Sequence, residues 1–319
     1  MIRYAIDPST GAQGNEWAVI LAGGDGIRLR SLTRHIAGDE RPKQFCPVLG
    51  RGSLLEETRR RAALALAPER TLYVVNRAHE FYYAPLLAGI APDNIVVQPR
   101  NCGTAPAILY SLLRIAARDS KALVVFLPSD HFVSDNQKFM AQVRAAFDSA
   151  RACPDLVVLL GLEPENPEVE YGWIEPGLPI HGQQNVFAVR RFWEKPSAML
   201  AQALQRRGCL WNSFVMVAAV QALIEIIESA IPEISQFFMR VAPHIGGNRE
   251  SAAIADLYAR LSEANFSHQV LAHQPERLAV FKVTGVRWND LGEPKRVLAS
   301  LAMAGVKPRW AEAAVPQFA

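Results

Sequence analysis

Three glycines fall within four residues, Gly23-Gly24-Asp25-Gly26, directly after an apolar run ending at Leu21-Ala22. Glycines at that density let backbone N–H groups approach a ligand closely and take positive φ, the geometry of an anion-binding nest. Arg28, Arg30, Arg34, Arg41 and Lys43 follow soon after, and fixed cations beside a nest are what a polyphosphate requires. The spacing fits neither a P-loop, which needs Gly-Lys-Ser/Thr, nor the dinucleotide fingerprint, which needs a third glycine farther on. A tight turn without ligand and a solvated basic loop are the plainer alternatives.

Carboxylates supply the second half of such a site. Ser129-Asp130 comes straight after the apolar run Ala122 to Leu127, which sets the carboxylate at the carboxyl edge of a sheet, and Asp290 lies just past another extended segment. Two acidic side chains meeting at a phosphate site suit Mg²⁺, a hard cation that takes one or two protein carboxylates together with substrate phosphate oxygens. A helix or turn cap is the competing use of Asp130. His131 reads as a packing neighbour, and Lys43 or Lys195 taken alone reads as a surface lysine.

The elements that must carry these residues follow from hydrophobic patterning. Trp17 to Ala22, Thr71 to Val75, Asn94 to Gln98, Ala122 to Leu127 and Leu156 to Gly161 are short apolar runs bounded by turn formers, as expected of strands buried on both faces. Helical patterns at Ser53 to Ala67, with a Ser53/Glu56 capping box, at Thr104 to Arg118 and at Gln137 to Arg151 separate them. This alternation predicts an α/β fold with a mostly parallel, Rossmann-like sheet between two helical layers, and ligands at the strands' carboxyl ends. After about residue 162 a Pro, Gly and Glu rich stretch and the aromatic segments Val186 to Trp193 and Trp211 to Ala218 suggest a small β-rich insertion forming a second wall. Helices from about Ala219 to Leu261, a strand at Leu278 to Val283 and a helix from Pro294 to Met303 complete the pattern.

With the whole order in view, the motifs are recognisable. Leu21-Ala22-Gly23-Gly24-x-Gly26-x-Arg28-Leu29 and Arg41-Pro42-Lys43-Gln44-Phe45 resemble the signature of sugar-1-phosphate nucleotidyltransferases, and Pro-Lys-Gln-Phe resembles the mannose-1-phosphate guanylyltransferase branch. Pro99 to Ile108, Pro128-Ser129-Asp130-His131, Tyr171 to Glu175, Phe192-x-Glu194-Lys195-Pro196, Trp211-Asn212-Ser213 and Trp288 to Gly292 resemble that branch's other blocks, in order, over roughly residues 17 to 296.

The resemblance implies the fold of the nucleotide-diphospho-sugar transferases and an attack of a sugar phosphate on the α-phosphorus of a nucleoside triphosphate, here GTP with mannose-1-phosphate or a related hexose-1-phosphate. By motif position it implies that Leu21, Ala22, Gly23, Gly24, Gly26, Asn101, Thr104 and Ser129 hold the nucleotide. Arg28 and Lys43 would hold the triphosphate and leaving pyrophosphate, and Lys195 the sugar phosphate. Gly172, Glu175, Glu194 and Asn212 would read the sugar, and Asp130 and Asp290 would hold Mg²⁺. A helix starting at Thr104 offers an anion a cap as well.

Departures from the pattern are Ile27, Ser31 and, above all, Phe214, which stands where the family places a glycine after Asn-Ser. Arg34 to Glu40 also looks longer than usual. The same chemistry on another hexose-1-phosphate or nucleotide, and a silent regulatory subunit that binds sugar nucleotide, are the rival readings.

Half of the residues are apolar and a fifth charged, which permits a large core and excludes disorder. A formal charge of +3 with both signs interspersed gives no nucleic-acid stripe. The longest apolar runs fall far short of the roughly 18 residues that cross a bilayer, so no membrane role and a cytoplasmic setting are expected. The expected organisation is a single domain over 1–300, a nucleotide half at about 15–162 and a sugar half at about 163–300, with 301–319 as a tail and no added β-helix or barrel. The helix Val297 to Ala304 offers a homodimer contact, though packing within one subunit is the commoner use.

Overall fold

In this computed structural model, residues 14–311 are described. The strands in chain order are β1 (Glu16–Leu21), β2 (Thr71–Asn76), β3 (Ile95–Gln98), β4 (Leu123–Pro128), β5 (Phe132–Val133), β6 (Val157–Leu162), β7 (Gly172–Pro179), β8 (Val186–Glu194), β9 (Leu210–Ala219), β10 (Leu278–Val283) and β11 (Trp288–Asn289). The helices are α1 (Arg30–Ala37), α2 (Leu54–Ala62), α3 (Glu80–Leu86), α4 (Thr104–Ala116), α5 (Asn136–Ala152), α6 (Ala198–Arg206), α7 (Val220–Ala230), α8 (Pro232–Val241), α9 (Glu250–Arg260), α10 (Phe266–Gln269) and α11 (Pro294–Ala304).

Nine strands form one sheet in the order β3-β2-β1-β4-β9-β6-β10-β8-β7. Successive side chains of β1 enter opposite cores: Trp17 and Val19 join α4, α7, α8 and α9 on one face, Ala18 and Ile20 join α2, α3, α5 and α6 on the other. That double burial explains the uninterrupted apolar runs of β1, β4 and β6. Helix α2 begins with the capping box its sequence predicts, Glu56 N–H donating to Ser53 Oγ and Ser53 N–H to Glu56 Oε2.

The α/β class is as expected, but the sheet is mixed rather than mostly parallel. β3, β2, β1 and β4 run parallel and β6 pairs parallel with β10, whereas β9 runs antiparallel to both β4 and β6, and β8 to β10 and β7. The change of direction is made at the β7–β8 hairpin: β8 and β9 both run antiparallel to β7, and α6 connects them. The expected insertion does not stand apart either, since β7 and β8 extend the same sheet.

A third apolar cluster closes the carboxyl end of the sheet. Leu29, Leu32, Cys46, Val48, Phe132, Leu291, Val297 and Leu301 meet there, with Val306 and Trp310 packed against them. The segment 301–311 is therefore part of the packed body instead of a tail; residues 312–319, like 1–13, lie outside the described residues. The apolar face of α11 is spent on this cluster, through Val297 and Leu301.

Candidate active site

The glycine loop leaves β1 at its carboxyl end and is clamped from two sides. The side-chain amide of Gln44 donates through Nε2 to the carbonyls of Ala22 and Gly24 at 3.1 and 2.6 Å. Gly26 has φ 59°, and a Cβ there would sit 3.0 Å from Lys43 N, so the loop and the Pro42-Lys43-Gln44 segment fit only with glycine. Asp25 is gripped by Asn101 Nδ2 at 2.8 Å and lies 3.2 Å from His79 Nε2.

Asp130 and Asp290 are brought together by a two-residue ladder. β5 pairs antiparallel with β11, Phe132 opposite Asn289 and Val133 opposite Trp288. Asp130 precedes the first of these strands and Asp290 follows the second, so the ladder places both carboxylates at one end of itself. Lys43 lies between them: its Nζ is 3.3 Å from Asp130 Oδ2 and donates to the carbonyls of Asp290 and, at 3.2 Å, Leu291.

Asp290 Oδ1 accepts from Tyr171 Oη at 3.1 Å, Arg296 Nη1 at 2.9 Å and Gly292 N at 2.9 Å. Its Oδ2 has Arg28 Nη2 at 3.9 Å. Burial would raise the Asp290 carboxyl, but Lys43, His131 and Arg296 outweigh it and hold the group below the usual carboxylate range. His131, buried against Trp288, is pushed down to about 4 and is neutral near pH 7.

Two cavities meet here. One of about 370 Å³ is lined by Leu21, Gly23, Gly24, Gln98, Thr104 and Phe214 among others. Its neighbour, about 520 Å³, is lined by Gly26, Arg28, Lys43 and Gly292. Asn101, Asp130 and Glu263 line both, so the two form one cleft over the carboxyl ends of β1 and β4.

Three of the four residues expected to read the sugar form a separate cluster. Gly172, Glu194 and Asn212 are cross-strand neighbours, and a Cβ on Gly172 would lie 3.0 Å from Glu194 Oε2 and 3.2 Å from Asn212 Cβ. Burial raises the Glu194 carboxyl, only partly offset by Lys195. Lys195, about half exposed, has its Nζ 3.7 Å from Glu170 Oε2, which also accepts from Arg28 Nη1 at 2.9 Å.

Glu175 does not join this cluster. Odd positions of a strand face away from even ones, so Glu175 shares its face with Trp173, opposite Gly172, and its carboxylate pairs with Arg207 and, at 3.8 Å, Arg190. Ser129 is buried and donates its N–H to Leu21 O without lining the cleft. Of the five early basic residues only Arg28 and Lys43 reach it; Arg30 and Arg34 face Glu40, and Arg41 pairs with Asp39 at 2.7 Å. At the start of α4, Ala105 N–H donates to Ala264 O and Thr104 Oγ1 accepts from Phe266 N–H, while Gly103 and Thr104 line the cavity.

Gln44, Gln98, Glu170 and Arg296 also belong to the site, although sequence reasoning does not single them out. Gln44 stands inside a recognisable motif, which is the one signal that could have found its clamp; the others act across long chain separations. Among the described residues, no group of three or more His, Cys, Asp or Glu side chains is set to hold a metal ion, and no helix is long and apolar enough to cross a membrane.

The glycine loop, Arg28, Lys43 and Asp130 line one cleft, and residues 17–303, which contain it, match the family described as Nucleotidyl transferase. The chain belongs to the nucleotidyl transferase family. Among its relatives, the Xanthan biosynthesis protein XanB of Xanthomonas campestris pv. campestris is 31% identical over 86% of this chain and 57% of its own length. A mannose-1-phosphate guanylyltransferase of Escherichia coli is 27% identical over 86% of this chain and 59% of its own length. The chain thus spans a little more than half the length of these curated relatives. A solved structure named mannose-1-phosphate geranyltransferase, from Thermus thermophilus, superposes with TM-score 0.76 at 30% identity, covering 89% of this chain and 79% of that one.

Proposed function

We propose that this nucleotidyl transferase makes GDP-mannose and pyrophosphate from GTP and mannose-1-phosphate, in the cytoplasm. The observation that carries the reading is the junction of Lys43 with Asp130 and Asp290 at the mouth of the glycine-loop cleft. The likeness to relatives named mannose-1-phosphate guanylyltransferase supports the choice of substrates.

The attacking oxygen belongs to a phosphate already ionised at neutral pH, so no protein base has to take a proton. It bonds to the α-phosphorus while the bond from that phosphorus to the β-bridging oxygen breaks, and pyrophosphate carries away the electron pair. The chain's part is to align two polyanions and to balance charge on the five-coordinate phosphorus. Arg28 and Lys43 serve the triphosphate; Lys195, tied to Arg28 through Glu170, serves the sugar phosphate. Glu194 and Asn212, over the bare backbone of Gly172, serve the sugar hydroxyls.

The donor set fits Mg²⁺. Asp130 is open to the cleft, with 29% of its side chain exposed, and Asp290 Oδ2 has no hydrogen bond among the described residues. Bound there, the ion would neutralise phosphate oxygens as a Lewis acid. Chelation with EDTA is expected to stop pyrophosphate release and Mg²⁺ to restore it, while Asp130→Asn keeps nucleotide binding and loses turnover. Turnover in Asp130→Asn equal to the parent's would refute the assignment.

A further inference from the structure

Strand β9 breaks its register against β6: Leu159 pairs with Met216 but Gly161 with Asn212, so a short step on β6 is matched by a longer one on β9. At the centre of this bulge Phe214 has φ 59°, a left-handed backbone that costs a bulky side chain on the order of 1 kcal/mol or more. The surroundings enforce it. Phe214 N–H donates to Asn212 Oδ1 at 3.1 Å, Ser213 Oγ donates to the Leu160 carbonyl at 2.6 Å, and Val215 N–H donates to Ser213 Oγ at 3.1 Å.

Held this way, the Phe214 ring packs edge-on against Phe266, centroids 6.4 Å apart, and walls the cavity that contains Gly23, Gly24 and Thr104. Phe266 is fixed in turn by its N–H to Thr104 Oγ1 at 2.8 Å. Phe214 also belongs to the same sheet face as Ile174, Phe192 and Leu210, the face that carries Gly172, Glu194 and Asn212. The ring therefore stands between the sugar-side cluster and the nucleotide-side cavity. Because Asn212 Oδ1 already accepts from Phe214, the amide is left with its N–H donors for a ligand hydroxyl.

We propose that Phe214 is a specificity-determining residue whose ring sets the size of the sugar phosphate accepted, refusing a substituent larger than hydroxyl on the side that faces it. Backbone strain at functional positions persists only where the surroundings over-determine it, and here the hydrogen bonds of the bulge do so. The inference rests on the nucleotidyltransferase reading and adds to it the steric selection of the sugar.

The test compares the parent, Phe214→Leu and Phe214→Gly for pyrophosphate release from mannose-1-phosphate, glucose-1-phosphate and N-acetylglucosamine-1-phosphate, with GTP and Mg²⁺. Melting temperatures are recorded alongside. In Phe214→Gly the kcat/KM for the N-acetyl sugar, relative to the parent's preferred hexose, is expected to rise at least about tenfold. In Phe214→Leu it should rise less, with KM for GTP nearly unchanged in both. An unchanged ratio in folded variants overturns the proposal. So does a rise in KM for GTP that is the same for every sugar, which would make the ring a nucleotide wall. If Phe214→Gly does not fold, the ratio in Phe214→Leu decides. A parent that releases pyrophosphate from no nucleotide and sugar pair would defeat the underlying reading and the size filter with it.

Discussion

Lys43 Nζ lies 3.3 Å from Asp130 Oδ2 and also donates to the backbone carbonyl of Asp290, so one buried ammonium joins the two carboxylate-bearing segments that meet at one end of the β5–β11 ladder. A charge taken out of water is held only by such partners. The arrangement fixes where a polyphosphate would meet positive charge, and it makes Lys43 the residue most exposed to loss on substitution.

Lys43→Met keeps the length of the side chain and removes the cation. Turnover is expected to fall by about two to three orders of magnitude, the scale for losing one aimed transition-state partner. Steady-state pyrophosphate release reads this directly. A loss smaller than about fivefold would remove Lys43 from the reaction.

Lys195 and Arg28 share Glu170, yet Lys195 stands beside Glu194 and Tyr171 and Arg28 at the glycine loop. Lys195→Ala should raise KM for the sugar phosphate far more than KM for GTP. Calorimetric titration of each substrate checks the split, and a weakening confined to GTP would reverse the assignment.

Glu175 offers a contrasting case. Its carboxylate is committed to Arg207 and Arg190 on the face away from Gly172. Glu175→Gln should therefore lower the melting temperature by a few degrees and leave KM for the sugar phosphate within about twofold, because a partly exposed pair is worth only about 1 kcal/mol. A large rise in that KM with unchanged melting would restore Glu175 to the sugar site.

How much of this is legible in the sequence follows from the range of each interaction. β1, β4 and β6 are written in unbroken apolar runs because both their faces are buried, and the Ser53/Glu56 box is a contact three residues long. β7 is hidden by Gly177, Pro176 and Pro179, which weaken a strand signal. The glycine loop and Lys43 can be read as motifs, but the β5–β11 ladder that joins Asp130 to Asp290 is a long-range pairing with no local trace. For Glu175 the motif misleads where strand periodicity would not: three steps from Gly172 along a strand is the opposite face. Asp39 and Glu40, lying among the basic residues, signal that Arg34 and Arg41 are spoken for.

Acid stability gives a check away from the site. Glu250, buried at the start of α9, accepts from Tyr110 Oη at 2.6 Å, Arg114 Nη1 at 2.7 Å and Gly246 N at 2.7 Å. Burial alone would raise its carboxyl, but these bonds and the Arg114 charge hold it below its ordinary value of 4.5. A carboxyl lowered by folding contributes stability above its unfolded value and loses it as pH falls through the folded one. Urea titrations should show stability declining below about pH 4.5, and Glu250→Ala should cost roughly 3–5 kcal/mol at pH 7 while flattening that decline. An unchanged acid limb in the variant would deny Glu250 this part.

The central claim is most directly tested by pyrophosphate release from the purified protein with Mg²⁺, across GTP, ATP, UTP, CTP and dTTP, each paired with mannose-1-phosphate and with glucose-1-phosphate. Release confined to GTP with mannose-1-phosphate is the predicted result. A different preferred pair would contradict the substrate assignment, and no release from any pair, with nucleotide still bound, would contradict catalysis itself.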